Sequence, residues 1–212
     1  MTAVRRPPQP RRTQTERRAA TRAALLAAAL DQLVDGGLGA FTTTEVCRRA
    51  GVSQGALFKH FASKSALLAA VTEHLFDGLR GDFEAAFLAL PPRRRSLRRG
   101  LDLLWDQMAD PRLAAAYELY TAARTDAELR DDLAPVVEAH VERIAELAVT
   151  LVGADDSSSP ELAGAVDLAI LAIQGLVLNQ MALPDPAQER RLRRTLSALL
   201  SAVAASLDEE DD

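Results

Sequence analysis

Apolar positions recur at three- and four-residue spacing through most of the chain, and no stretch alternates apolar with polar at period two. The pattern predicts helices and no sheet. Leu26, Leu30, Leu33 and Val34 share one face of a first helix from about Thr15 to Asp35, opened by the capping box Thr13-x-x-Glu16 and closed at Gly36-Gly37. A second box, Thr42-x-x-Glu45, starts a helix at Thr42 with Val46 and Ala50 on one face. Gly51 ends that helix and Ser53 caps the next, of one and a half to two turns, with Leu57 and Phe61 on its buried side. Ser63 caps a longer helix carrying Leu67, Leu68, Val71, Leu75 and Leu79, whose end Gly78 and Gly81 are expected to loosen before Pro91-Pro92.

Further helix starts punctuate the rest. Asp110-Pro111, Thr125-x-x-Glu128, Ser159-Pro160 and Asp185-Pro186-x-Gln188 each pair a capping residue with Pro at the first position or an acid or amide three on. Helices are expected near 96–109, 111–124, 126–152, 160–183 and 186–207, with Pro135 kinking or starting the third. With the four before them this makes about nine, an all-α fold.

The helix near 160–183 is apolar nearly all round, and Leu192, Leu196, Leu199, Val203 and Leu207 follow three-four spacing in the last. A helix apolar on every side must be buried on every side, in a bilayer or against a partner. Asp167, Gln174, Asn179 and Gln180 interrupt the run, and one central acid costs about 2.5 to 3.5 kcal/mol to insert, so a four-helix interface between two copies is favoured over a membrane span.

Residues 42–64 carry the most specific signal: two short helices joined by the three-residue turn Gly51-Val52-Ser53, the arrangement that places a second helix in the DNA major groove. Gln54 suits adenine, and the Ala56 methyl and Phe58 ring suit a thymine methyl. Lys59 and Lys64 are the only lysines among 25 basic residues, and both fall here, where a flexible point charge suits a phosphate. The stretch AGVSQGALFKHFASK, preceded by T-x-x-E-V-x-x-x-A, resembles the DNA-binding signature of the tetracycline-repressor (TetR) family of bacterial transcription regulators. The resemblance is specific over residues 15 to about 70 and architectural beyond. It implies that Thr42, Thr43 and Thr44 approach phosphates, that Ser53, Gln54, Gly55, Ala56, Phe58, Lys59 and His60 belong to the groove-facing element, and that Lys64 meets phosphate from the next helix. Phe58 stands where the family often has Tyr, and Gln54 and Ala56 where it often has a base and a hydroxyl residue. The resemblance further implies a homodimer on a palindromic operator, and a linking helix from Ser63 that transmits a ligand signal.

Charge distribution agrees with this. The net charge of -5 conceals 11 basic against 4 acidic residues in 1–64 and 14 against 26 in 65–212, hence +7 and -12. A basic module on an acidic body offers one face to nucleic acid. Residues 1–14, with three prolines among four arginines, read as a disordered basic arm that either follows DNA or stays solvated. Arg17-Arg18 precedes an apolar run from Ala23 to Leu30, but helical spacing continues past Asp31 and Gln32, so a cytoplasmic helix is expected in place of a secretory signal. The arginines at 93, 94, 95, 98 and 99 read as a solvated helix start. One cysteine, Cys47, excludes an intramolecular disulfide and reads as a packing residue, and the three histidines lack metal-ligand spacing. No nucleophile constellation, phosphate loop or cofactor motif appears, so neither catalysis nor a cofactor is expected.

Trp105, Met108, Tyr117, Tyr120, Arg124, His140, Gln174 and Asn179 are the large or polar groups on otherwise Ala- and Leu-rich helices. Taken singly each suits ordinary packing; as a set they suggest a cavity for a small apolar or aromatic effector with one or two polar groups. The expected organisation is a basic arm (1–14), a helix-turn-helix domain (15–62), a ligand-binding and dimerisation domain (63–207) and an acidic tail (208–212). The alternatives are a helical small-molecule-binding bundle and a protein adaptor, both without DNA binding.

Overall fold

The structure, a computed structural model, describes residues 13–107, 110–152 and 160–210. In chain order its helices are α1 (Gln14–Gly36), α2 (Thr43–Ala50), α3 (Gln54–Phe58), α4 (Lys64–Leu88), α5 (Leu97–Gln107), α6 (Pro111–Ala123), α7 (Ala127–Val152), α8 (Pro160–Ala182) and α9 (Pro186–Glu210). Among the described residues there are nine helices, two short 3₁₀ turns at Leu38–Ala40 and Pro92–Arg94, and no strand. The all-α expectation therefore holds.

Local chemistry explains the helix starts. Thr13 N–H donates to Glu16 Oε2 at 2.7 Å and Glu16 N–H donates to Thr13 Oγ1 at 3.2 Å, so α1 begins at Gln14, one residue before the expected position. Thr42 caps α2 from outside, accepting from the Glu45 amide at 3.2 Å, and the helix itself begins at Thr43. The Glu45 carboxylate turns to Arg48 and Arg49. Gly51, at φ 67°, ends α2 in the left-handed conformation that glycine adopts at least cost.

Four expectations need correction. α3 has five residues and gives way to a turn at Lys59-His60, shorter than the one and a half to two turns expected, because Leu57 and Phe61 are already buried at that length. α4 runs unbroken through Gly78 and Gly81. Phe83 and Phe87 are buried beyond them, lying over Gly100 of α5, and this packing holds the helix where propensity alone would let it fray. α7 begins at Ala127, so Pro135 lies inside the helix and does not start it; its exposed position lets water satisfy the carbonyl that loses its donor. α9 extends to Glu210, three residues past its expected end. Residues 1–12 of the arm, Met108 and residues 211–212 of the tail lie outside the described residues.

The apolar core crosses from the N-terminal helices into the rest of the chain without a break. Leu25, Leu33, Phe41, Val46, Leu57, Phe61, Leu67 and Val71 form one cluster with Ala115, Leu119 and Ala123 of α6 and Leu129 and Leu133 of α7. A second cluster joins Leu101 and Trp105 of α5 to α8 and α9. One described helix stretch, Gly164–Ala182 in α8, is long and apolar enough to cross a membrane. Its outer face carries exposed Leu168, Leu171, Leu178 and Met181.

Candidate nucleic-acid interface

α2 and α3 meet through the turn at Gly51, and α3 is anchored from below by Leu57, which is fully buried, and Phe61. Anchoring one side leaves the other free. Gln54, Gly55, Phe58 and Lys59 are exposed, Ala56 is half-buried, and Phe58 stands 48% exposed, an unusual position for a large aromatic side chain without a partner. A Cβ added at Gly55 would meet only Ser53 Oγ, at 4.0 Å, so none of the described residues crowds this position.

The polar groups around it are ordered. Ser53 Oγ accepts from the Ala56 amide at 3.2 Å and caps α3. Gln54 Nε2 donates to Thr44 Oγ1 at 2.7 Å, so the first exposed residue of α3 is tied to the first turn of α2. Thr42 and Thr44 are exposed and Thr43 half-buried, placing all three hydroxyls at the α2 N-terminus, where unpaired amides and the helix dipole favour an anion. His60 is half-buried. Burial first, then the charges of Arg18 and Arg22 on α1, hold its imidazole below the ordinary histidine value, so it faces neutral pH uncharged. Lys64 is exposed at the start of α4, with one ammonium donor on the Phe41 carbonyl at 3.1 Å and the group 5.4 Å above the Phe41 ring. That bond fixes Lys64 beside the turn while two donors point elsewhere. Cys47 is buried, and burial pushes its thiol up, as a packing residue requires.

The residues singled out as effector contacts are spread over several helices. Trp105 is buried in the α5–α8–α9 cluster, its indole N–H donating to Glu189 at 3.2 Å. Tyr117 and Tyr120 meet edge to face on α6 with centroids 5.9 Å apart; burial raises both phenols, Tyr117 to about 12. Arg124 and Asn179 are exposed and Gln174 is half-buried. His140 lines a cavity of about 190 Å³ between α4 and α7. Phe76, Pro135, Val136 and Ala139 supply its apolar wall, and Glu73, Arg80 and Arg143 join His140 on its polar side. Those partners carry no sequence signal that joins them, since charged residues are spread along both α4 and α7. A further residue the sequence did not mark is Glu118 of α6. Its Oε2 accepts from the Leu38 amide at 2.7 Å, and a Cβ at Gly37, where φ is 68°, would come within 2.9 Å of it.

The profile of bacterial regulatory proteins of the tetR family matches residues 25–71, and that of the tetracyclin repressor-like C-terminal domain matches residues 92–202. The chain belongs to the TetR family. An uncharacterized HTH-type transcriptional regulator of Mycobacterium tuberculosis is 34% identical over 193 residues, 90% of this chain and 98% of that one. The HTH-type transcriptional regulator CymR of Pseudomonas putida is 28% identical, covering 87% of this chain and 91% of its own. Among solved structures, a transcriptional regulator from Rhodococcus sp. superposes with a TM-score of 0.65 at 21% identity over 87% of this chain and 96% of that one. The multidrug binding protein EbrR, complexed with ethidium, gives 0.63 at 21% identity over 84% and 97%. This chain is thus a TetR-family transcription regulator with a helix-turn-helix head formed by α1–α3 and a helical C-terminal region.

Proposed function

We propose that the chain is a homodimeric repressor that leaves a palindromic operator when a small apolar or aromatic effector binds its C-terminal region. The observation that carries this reading is α4. It begins at Lys64, hydrogen-bonded into the head, and twelve to sixteen residues later supplies Phe76 and Arg80 to the α4–α7 cavity. A ligand that moves one end of a rigid helix moves the other, and the spacing of two recognition helices changes with it. Residues 15–62 bind DNA and residues 63–207 bind effector and pair the protomers, with Leu168, Leu171, Leu178 and Met181 of α8 as the apolar contact face. Family membership supports a cytoplasmic protein without catalysis.

Selection of bound sequences from a random duplex pool, followed by anisotropy titration, tests the reading. Inverted repeats are expected, bound by two chains. Lys59→Ala should weaken all duplexes alike and lower the salt slope by about one, whereas Gln54→Ala should relax base preference. Recovery of no preferred sequence, or binding of a single chain per site, would refute it.

A further inference from the structure

Resting on the reading that the α4–α7 cavity receives the effector, its lining narrows that effector to one chemical class. Phe76 and His140 stack with centroids 3.7 Å apart and planes 7° from parallel, so each covers one face of the other and the pair together forms an aromatic border of the cavity. The cavity, about 190 Å³, exceeds the roughly 150 Å³ that admits benzene and falls short of the roughly 300 Å³ at which drug-sized sites begin. One substituted ring fits.

The polar side carries two arginines. Arg80 donates one N–H to His140 Nδ1 at 2.9 Å and contacts Asp77 through its other terminal nitrogen. A guanidinium only donates, so Nδ1 accepts and the His140 proton sits on Nε2 as a further donor. Burial first, then the Arg80 and Arg143 charges, bring His140 down to about 4 and leave it uncharged at neutral pH. The Arg80 side chain is only 16% exposed, but Asp77 is 55% exposed, is shared with Arg143 at 3.4 Å, and does not line the cavity. The counter-charge therefore lies on the solvent side. Arg80 has five N–H donors, and among the described residues most of them meet no acceptor. The lining holds two guanidinium groups and one carboxylate, Glu73, and Asp77 behind it pairs with both guanidiniums, so what the lining offers a ligand is the unmet Arg80 donors and not an excess of charge.

The geometry points to a small aromatic monocarboxylate, its ring against the Phe76–His140 stack and its carboxylate on Arg80 and Arg143. Calorimetric titration of the full chain with benzoate and phenylacetate, each against its neutral amide and against benzylamine, tests this without DNA. The acids should bind about 10- to 100-fold tighter than the amides, the range for hydrogen bonds to a charged group, and the amine more weakly than either. Arg80→Gln should abolish the preference, with far-UV circular dichroism verifying the fold, and Arg143→Gln, at a half-exposed position, should reduce it several-fold. Acids that bind no tighter than amides, absence of binding by any ring compound, or a preference that survives Arg80→Gln in a folded protein overturns the assignment. Preferential acid binding that leaves operator affinity unchanged would uphold this ligand class and refute the effector reading instead.

Discussion

Glu118 offers the sharpest test of how the DNA-binding head is held. Its carboxylate on α6 accepts from the Leu38 amide at 2.7 Å, across 80 residues of chain and in a partly buried setting. Glu118→Ala leaves that N–H without an acceptor where water reaches it poorly. Hydrogen bonds to charged groups contribute about 1.5 to 3 kcal/mol, and for a chain of this size each kcal/mol moves the melting temperature by about 2 to 4 °C. A drop of about 3 to 12 °C is therefore expected, with a smaller one for Glu118→Gln, which keeps an acceptor without the charge. Hydrogen exchange localises the effect: the Leu38 amide should open about 10- to 100-fold more often in the Ala variant, while amides of the α5–α8–α9 cluster keep their wild-type rates. An unchanged Leu38 exchange rate together with an unchanged melting temperature would show that the contact does not hold the head, and the reasoning would fail.

Three further outcomes follow from other parts of the chain. Leu57→Ala, at the fully buried anchor of α3, should cost about 2 to 5 kcal/mol in urea denaturation; a loss under 1 kcal/mol would mean the short helix is not held by that side chain. Leu171→Arg, at a position 63% exposed in the single chain, should leave the far-UV spectrum intact and convert dimers to monomers in light scattering, and persistence of dimers would move the interface elsewhere. His140 has its folded value depressed from 6.5 to about 4, so between those values the unfolded chain binds the extra proton. Stability from this group is complete above pH 6.5 and declines as pH falls toward 4; His140→Asn should remove that part of the slope, visible in denaturation midpoints across pH 4 to 7.

What was legible in the sequence was local. Thr13 with Glu16, Thr42 with Glu45, and Gly51 before Ser53 act within three or four residues, so their types and spacing alone place α1 to α3 to within a residue or two. Gly78 and Gly81 misled for the opposite reason, since distant packing by Phe83 and Phe87 decides their fate. The exposed face of α3 followed from its two anchors, Leu57 and Phe61. The cavity did not. His140 meets Arg80 across 60 residues, and nothing in either helix says which of its faces will meet the other. Nor does the sequence show that the Trp105 indole N–H donates to Glu189, 84 residues on.

The unbroken core that joins α1–α3 to α6 and α7 bears on attempts to build hybrid regulators. A graft that exchanges only the first 62 residues would set Leu33, Phe41 and Leu57 of one parent against Leu119, Ala123 and Leu129 of another, cutting through matched shapes. Donor and recipient would trade specificity cleanly only if the seam were moved, so that the facing surfaces of α6 and α7 travelled with the grafted reader.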